Sequence, residues 1–283
     1  MNEQIEQSKM SIRRFFKRTA RSILFSQWLP QIIAFLIVGA VYVGISQFGM
    51  CLASIVSLVT DNYNLSRVFA VVYFVLSFLF LVPIFYGLVK FEAYAVENKK
   101  SRLSDLFFAF SSMENANRAY GMFLCVALKV VLCFLPAIAL WIFDVVFYYD
   151  GVFGYSLNFG NVDVFNFVLK SIFLVFLYLG MVLSSKYYFA VYISVVRPEF
   201  EPKDCFLLAK VCAHSVSHEL AVITLSFVPL FVVSLFSMGL LFILYTLPYV
   251  FLTYTVVCKY VYEKEMYTHK IQTLLYGQPD KEN

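Results

Sequence analysis

Long apolar runs separated by short polar gaps dominate this chain, and the gaps alternate in charge. The first run is uncharged from Ser22 to Thr60. A helix needs about 20 apolar residues to cross the hydrocarbon of a bilayer, so this stretch is longer than one crossing. It predicts a span at 28–50, with an outer segment around 61–66. A second span, 68–89, is closed by Lys90. A third covers 122–148 and contains Lys129. A fourth covers 165–188, with Lys170 near one end and Lys186 near the other. From Leu220 to Cys258 there is again no charge, over 39 residues. One helix of that length would measure about 58 Å at 1.5 Å per residue, against roughly 30 Å of hydrocarbon. Two spans, 220–237 and 240–259, joined by a tight turn at Ser237, Met238 and Gly239, fit better. The expected fold is an all-α polytopic membrane helical bundle with six transmembrane helices. It divides into an N-terminal segment (1–27), a six-span membrane domain (28–262) and a tail (263–283).

The basic residues test this division. Of 22 Lys and Arg, all but three fall at the N-terminus, in every second gap, or in the tail. The N-terminal segment holds Lys9, Arg13, Arg14, Lys17, Arg18 and Arg21. The gap after the second span holds Lys90, Lys99, Lys100, Arg102 and Arg118, and that after the fourth holds Lys186, Arg197, Lys203 and Lys210. The tail side carries Lys259, Lys264, Lys270 and Lys281. The exceptions are Arg67, in an opposite gap, and Lys129 and Lys170, within spans. Positive charge marks the cytoplasmic side, so both termini are expected in the cytoplasm. An odd number of spans would break the alternation.

Three segments on the basic side read as amphipathic helices. In the first, Ile12, Phe15, Phe16, Thr19 and Ile23 follow a 3.6-residue period. Arg14, Lys17, Arg18 and Arg21 lie opposite and are the expected contacts to lipid headgroups, as in a helix lying in the membrane surface. The same residues would also serve as a plain topology signal. The second segment begins near Ser101, with Leu103, Leu106, Phe107 and Phe110 in one stripe. The third begins after Pro202, a residue suited to a first helical turn. Its Leu207, Leu208, Val211 and Cys212 face one way, and Lys203, Lys210, His214 and Ser217 the other. Asp105-Leu106-Phe107-Phe108 resembles Asp204-Cys205-Phe206-Leu207. This suggests a parallel repeat in which spans two and three correspond to spans four and five.

Composition agrees with the class. Hydrophobic residues make up 61% and charged residues 14%, where soluble domains run nearer half and a quarter. Phe (32) and Tyr (20) are abundant, which suits aromatic belts at membrane interfaces. The net charge of +4 sits beside apolar runs, which points to anionic lipid and away from nucleic acid. Six cysteines without a C-x-x-C motif read as small hydrophobes. No cleavable signal peptide is expected, because the first apolar run is too long and starts too late.

Candidate chemistry is sparse. His214 and His218, four apart beside Glu219, share a helical face and are candidates for a metal, but no third ligand is evident. Lys129 and Lys170 are the ionisable residues deepest in predicted spans. Such charges serve transport or snorkel to headgroups, and Asp144 is placed to pair with Lys170. Pro83, Pro136, Pro229 and Pro248 are expected to kink their spans, as helices do where they line a transporter cavity. Asp150 and Asp163 read as solubilising. No zincin, Walker A or nucleophile-elbow motif occurs, so no catalytic residue and no cofactor is expected.

Phe107-Phe108-Ala109-Phe110, Arg197-Pro198, Ser226-Phe227 and Leu247-Pro248-Tyr249 carry a resemblance to a family of six-span bacterial integral membrane proteins of unassigned function. That family is distantly similar to the membrane domain fused to some glycerophosphodiester phosphodiesterases. Its pattern favours Gly and Trp soon after the Ser-Phe pair, whereas Val228, Pro229 and Leu230 follow here. The resemblance implies the same fold and a bacterial inner membrane. It brings no catalytic residues, and with no phosphodiesterase domain expected in this sequence that activity is not carried over. The expected function is non-catalytic, acting through anionic membrane lipids, a protein partner or a second copy of the chain. The alternative is a transporter or permease component.

Overall fold

The computed structural model describes residues 2–60, 63–97, 101–144, 162–237 and 239–267. Among them every regular element is helical. The order is α1 (Asn2–Ser26), α2 (Trp28–Thr60), α3 (Tyr63–Val96), a 3-10 helix (Leu103–Phe110), α4 (Met113–Asp144), α5 (Val162–Val196), α6 (Pro202–Leu225), α7 (Val228–Phe236), a π-helical stretch (Phe242–Thr246) and α8 (Leu247–Tyr267). The 61–62 part of the outer segment, the outer loop with Asp150, and the tail beyond 267 lie outside the described residues.

Five helical stretches among the described residues are long and apolar enough to cross a membrane: Trp28–Val56, Met113–Phe143, Val168–Val196, Pro202–Ser234 and Phe242–Met266. Each overlaps one of the predicted spans other than 68–89, though Pro202–Ser234 also takes in the third amphipathic segment, expected to lie apart from the 220–237 span. That run lies within α3, a continuous helix, but many of its side chains lie outside the described residues. The helices also overrun the predicted limits. α4 starts at Met113 and α5 runs on to Val196, because the helical backbone continues past the apolar run into the polar gap.

The split of the last apolar run falls where expected. Ser237 and Gly239 form the turn, and Gly239 takes φ +82°, a conformation costly for a residue with a Cβ. Ser237 Oγ then accepts from the Leu241 N–H at 3.0 Å and caps the returning helix. The prolines divide into two kinds. Pro83 and Pro136 sit inside continuous helices. Pro229 sits at the second residue of α7, where a missing N–H costs little, and Pro248 follows directly on the π-helical stretch, where its missing N–H interrupts the ladder. The breaks are therefore at Ser226–Phe227 and in the π-helical stretch, and not at all four prolines.

Burial is concentrated at one end of the bundle, where Arg118, Arg197 and Lys259 gather; it is called the basic end below. One core joins α1, α3, α5, α6 and α8 through residues such as Phe16, Phe189, Ile193, Leu208 and Val257, and a smaller one joins α2 and α3 to Leu106. Elsewhere large apolar side chains face outward, as with Leu124 and Leu128 on α4 and Phe236 on α7. A helix exposing such residues along its length suits lipid and not water.

Two amphipathic expectations need correcting. The apolar face of α1 is turned into the protein: Phe16, Ala20, Ile23 and Leu24 are buried, and Phe16 meets Tyr260 of α8 at 5.3 Å. Phe15, expected on that face, is exposed. Phe16 and Ile23 are buried as expected, but Ala20 and Leu24 take the places expected for Phe15 and Thr19, because the contact is with α8. The segment after Ser101 is a 3-10 helix, not α. With three residues per turn, Leu106 and Ala109 are buried while Phe107 and Phe110 are exposed. Gly87 of α3 permits this packing, since a methyl group there would lie 2.0 Å from the Leu106 carbonyl oxygen. The third segment is α-helical from Pro202, with Lys203, Lys210, His214 and Ser217 exposed as expected. Leu207 is also exposed, whereas Cys205 is buried. The two proposed repeat copies thus share a buried position, at Leu106 and Cys205, but differ in helix type.

Candidate functional site: a polar seam and a cleft at the basic end

Arg118, on the second turn of α4, holds the turn between α5 and α6. Its Nη2 donates to the Arg197 carbonyl at 3.2 Å and to that of Phe200, and Nη1 donates to the Pro198 carbonyl. A helix ends with carbonyls that have no partner, and here a planar guanidinium with several donors serves them. Arg118 Nε also donates to Ser194 Oγ at 3.2 Å. The Tyr86 hydroxyl donates to the Ser194 carbonyl at 3.0 Å. This seam ties α3, α4 and α5 together beneath the Arg197-Pro198 turn. Lys259 of α8 closes it by donating to the Val96 carbonyl at 3.3 Å, at the end of α3.

Deeper in the bundle, Gln31 Nε2 donates to Glu92 Oε2 at 3.1 Å. Both residues are completely buried. Glu92 Oε1 and Gln31 Oε1 have no hydrogen-bond partner. Glu92 follows the apolar run that Lys90 closes, and the Gln31 amide is its donor. An ionised carboxylate without a cation is costly in such a place. Next to this pair, Tyr188 and Thr255 share a hydrogen bond of 2.7 Å between α5 and α8.

At the surface α1 meets the break between α6 and α7. Lys17 Nζ donates to Ser226 Oγ at 2.5 Å and lies 5.2 Å from the Phe227 ring centre. Burial holds this amine below its usual range. A cleft of about 380 Å³ opens here, lined by Lys17, Ser226, Phe227, Pro229, Leu230, Val233, Tyr245 and Tyr249. Tyr245 and Tyr249 stack at 5.5 Å, and Phe227 meets Tyr249 edge-on at 5.6 Å.

The candidates read from sequence fall in different places. Of the four headgroup residues, Lys17 turns inward to the cleft, while Arg14, Arg18 and Arg21 are exposed. Lys129 lies 3.6 Å over the Phe206 ring, reaching from α4 to the first turn of α6. Lys170 is exposed, and the Asp144 side chain lies outside the described residues, as does any pairing between them. His214 and His218 are exposed, and His218 Nδ1 is 3.2 Å from Arg13 Nη2. No cluster of three metal-ligating side chains occurs among the described residues. The six cysteines are free, with Cys205, Cys212 and Cys258 buried.

Sequence reasoning missed Glu92, Gln31 and the role of Arg118. A signal existed for Glu92, the one acidic residue in a stretch from Leu81 to Val96 that is otherwise broken only by Lys90. Nothing local marks Arg118, because its acceptors are backbone carbonyls about 80 residues away. No family model, curated protein or solved structure matches the chain.

Proposed function

We propose that this chain is a six-span protein of the bacterial inner membrane, with both termini cytoplasmic, that acts non-catalytically through membrane lipid. The six-span count adds α3 to the five apolar helices. Its support is the length of α3 and the alternation of basic gaps, which an even number preserves. The bacterial inner membrane rests on the family resemblance. The observation that carries the lipid reading is the cleft at Lys17, where one cation meets an apolar wall on a face of the bundle made of outward apolar side chains. Purification from native membranes followed by mass spectrometry of bound lipid and protein tests it. Retention of a lipid class above its share of the membrane is expected. A chain that carries only bulk lipid, or a stoichiometric protein partner instead, sinks the reading.

A transporter or permease component is the second reading. The buried Gln31–Glu92 pair favours it, since an ionisable group inside a helical bundle often lies on a proton or ion path. Substituting Lys129 and Lys170 with Met, and separately Glu92→Gln, should then abolish substrate flux in reconstituted vesicles. Unchanged flux in all of them removes these residues from a transport role.

A further inference from the structure

We propose that the cleft at Lys17 seats one anionic phospholipid, its phosphate at the Lys17 ammonium and an acyl chain along Leu230, Val233 and Tyr245. This rests on the lipid reading above and names its ligand class and place. Charge is the first support. Arg13, Lys17 and Arg21 are four residues apart and so form one stripe along α1. Arg13 meets His218, but Lys17 is partly withdrawn from water with the neutral Ser226 hydroxyl as its hydrogen-bond partner. Among the described residues no carboxylate pairs with it. A cation in that position is costly until an anion joins it.

The backbone is the second support. The α6 helix stops before Ser226 and α7 restarts at Val228. The residues at that restart, Phe227, Pro229 and Leu230, line the same cleft as Lys17. The Phe227 N–H bonds the Thr224 carbonyl and Pro229 has no N–H, so what the restart offers a phosphate is the positive dipole end of α7. Shape is the third support. Beyond Ser226 the walls are aromatic and aliphatic, and Val233 stays half exposed. Inorganic phosphate would leave those walls bare, whereas an acyl chain covers them.

The test uses the full chain in detergent micelles doped with either phosphatidylglycerol or phosphatidylcholine, read by native mass spectrometry. The wild type should retain one phosphatidylglycerol in preference to phosphatidylcholine. Lys17→Met should lower that retention about tenfold, the loss of one charge-assisted hydrogen bond, whereas Lys17→Arg should keep it. Lys203→Met, an exposed cation on α6, should change little, and added inorganic phosphate should not displace the lipid. Equal retention by the wild type and Lys17→Met, equal retention of both lipids, or displacement by phosphate overturns the assignment. Should Lys17→Met not fold, photo-crosslinking of wild type with a diazirine-bearing phosphatidylglycerol decides: label on Leu230, Val233 or Tyr245 supports the cleft, and label only elsewhere overturns it. If the wild type retains neither lipid, the lipid reading itself fails. If it retains phosphatidylglycerol without regard to Lys17, only this cleft does.

Discussion

Glu92 and Arg118 are polar groups with opposite hydrogen-bond surroundings. Arg118, half-buried, donates to four acceptors. Glu92 is completely buried, with the Gln31 amide as its donor. Arg118→Met should cost about 1.5–3 kcal/mol, because the carbonyls of the largely exposed Arg197-Pro198 turn lose a charged donor that ties α4 to it. A loss under about 1 kcal/mol by denaturant titration would show that water replaces the guanidinium there.

Among the elements, the 3-10 helix depends on a residue it does not contain. Its Leu106 carbonyl rests directly on Gly87 of α3, which puts Leu106 into the small core with Phe35, Leu88 and Phe91. Gly87→Ala should therefore lift Leu103–Phe110 off α3 at a cost of about 1–3 kcal/mol. Hydrogen exchange of the 3-10 segment is the measurement, and unchanged protection would mean that the segment shifts without loss. The α1 helix shows the same dependence from the other side. Its amphipathic pattern was legible, but the pattern does not distinguish a membrane surface from a protein one. Phe16 and Leu24 pack inward because α8 offers Val257 and Val261 within the same core, with the Tyr260 ring against Phe16. The pattern of Lys, Arg and aromatic positions could not say that Lys17 would face a helix break.

At the scale of the whole molecule, the basic end is packed and polar while the rest of the bundle presents apolar side chains outward. The proposed six-span arrangement would place both termini on one side. On that proposal reporter fusions at the two ends should read out as cytoplasmic, and a C-terminal reporter on the far side would refute it.

The sequence by itself determined the helical class, the apolar runs, the turn at Ser237–Gly239 and the alternation of charge. These follow from local rules: apolar length against bilayer thickness, the conformational freedom of glycine, and the cost of moving charge across lipid. Only the tertiary structure decided that Gln31 meets Glu92, 61 residues away, that Arg118 serves the far turn, and that Lys17 opens a cleft with α7. Each of these depends on which helices become neighbours. That choice is made by packing across the bundle, and no periodicity within a single helix encodes it.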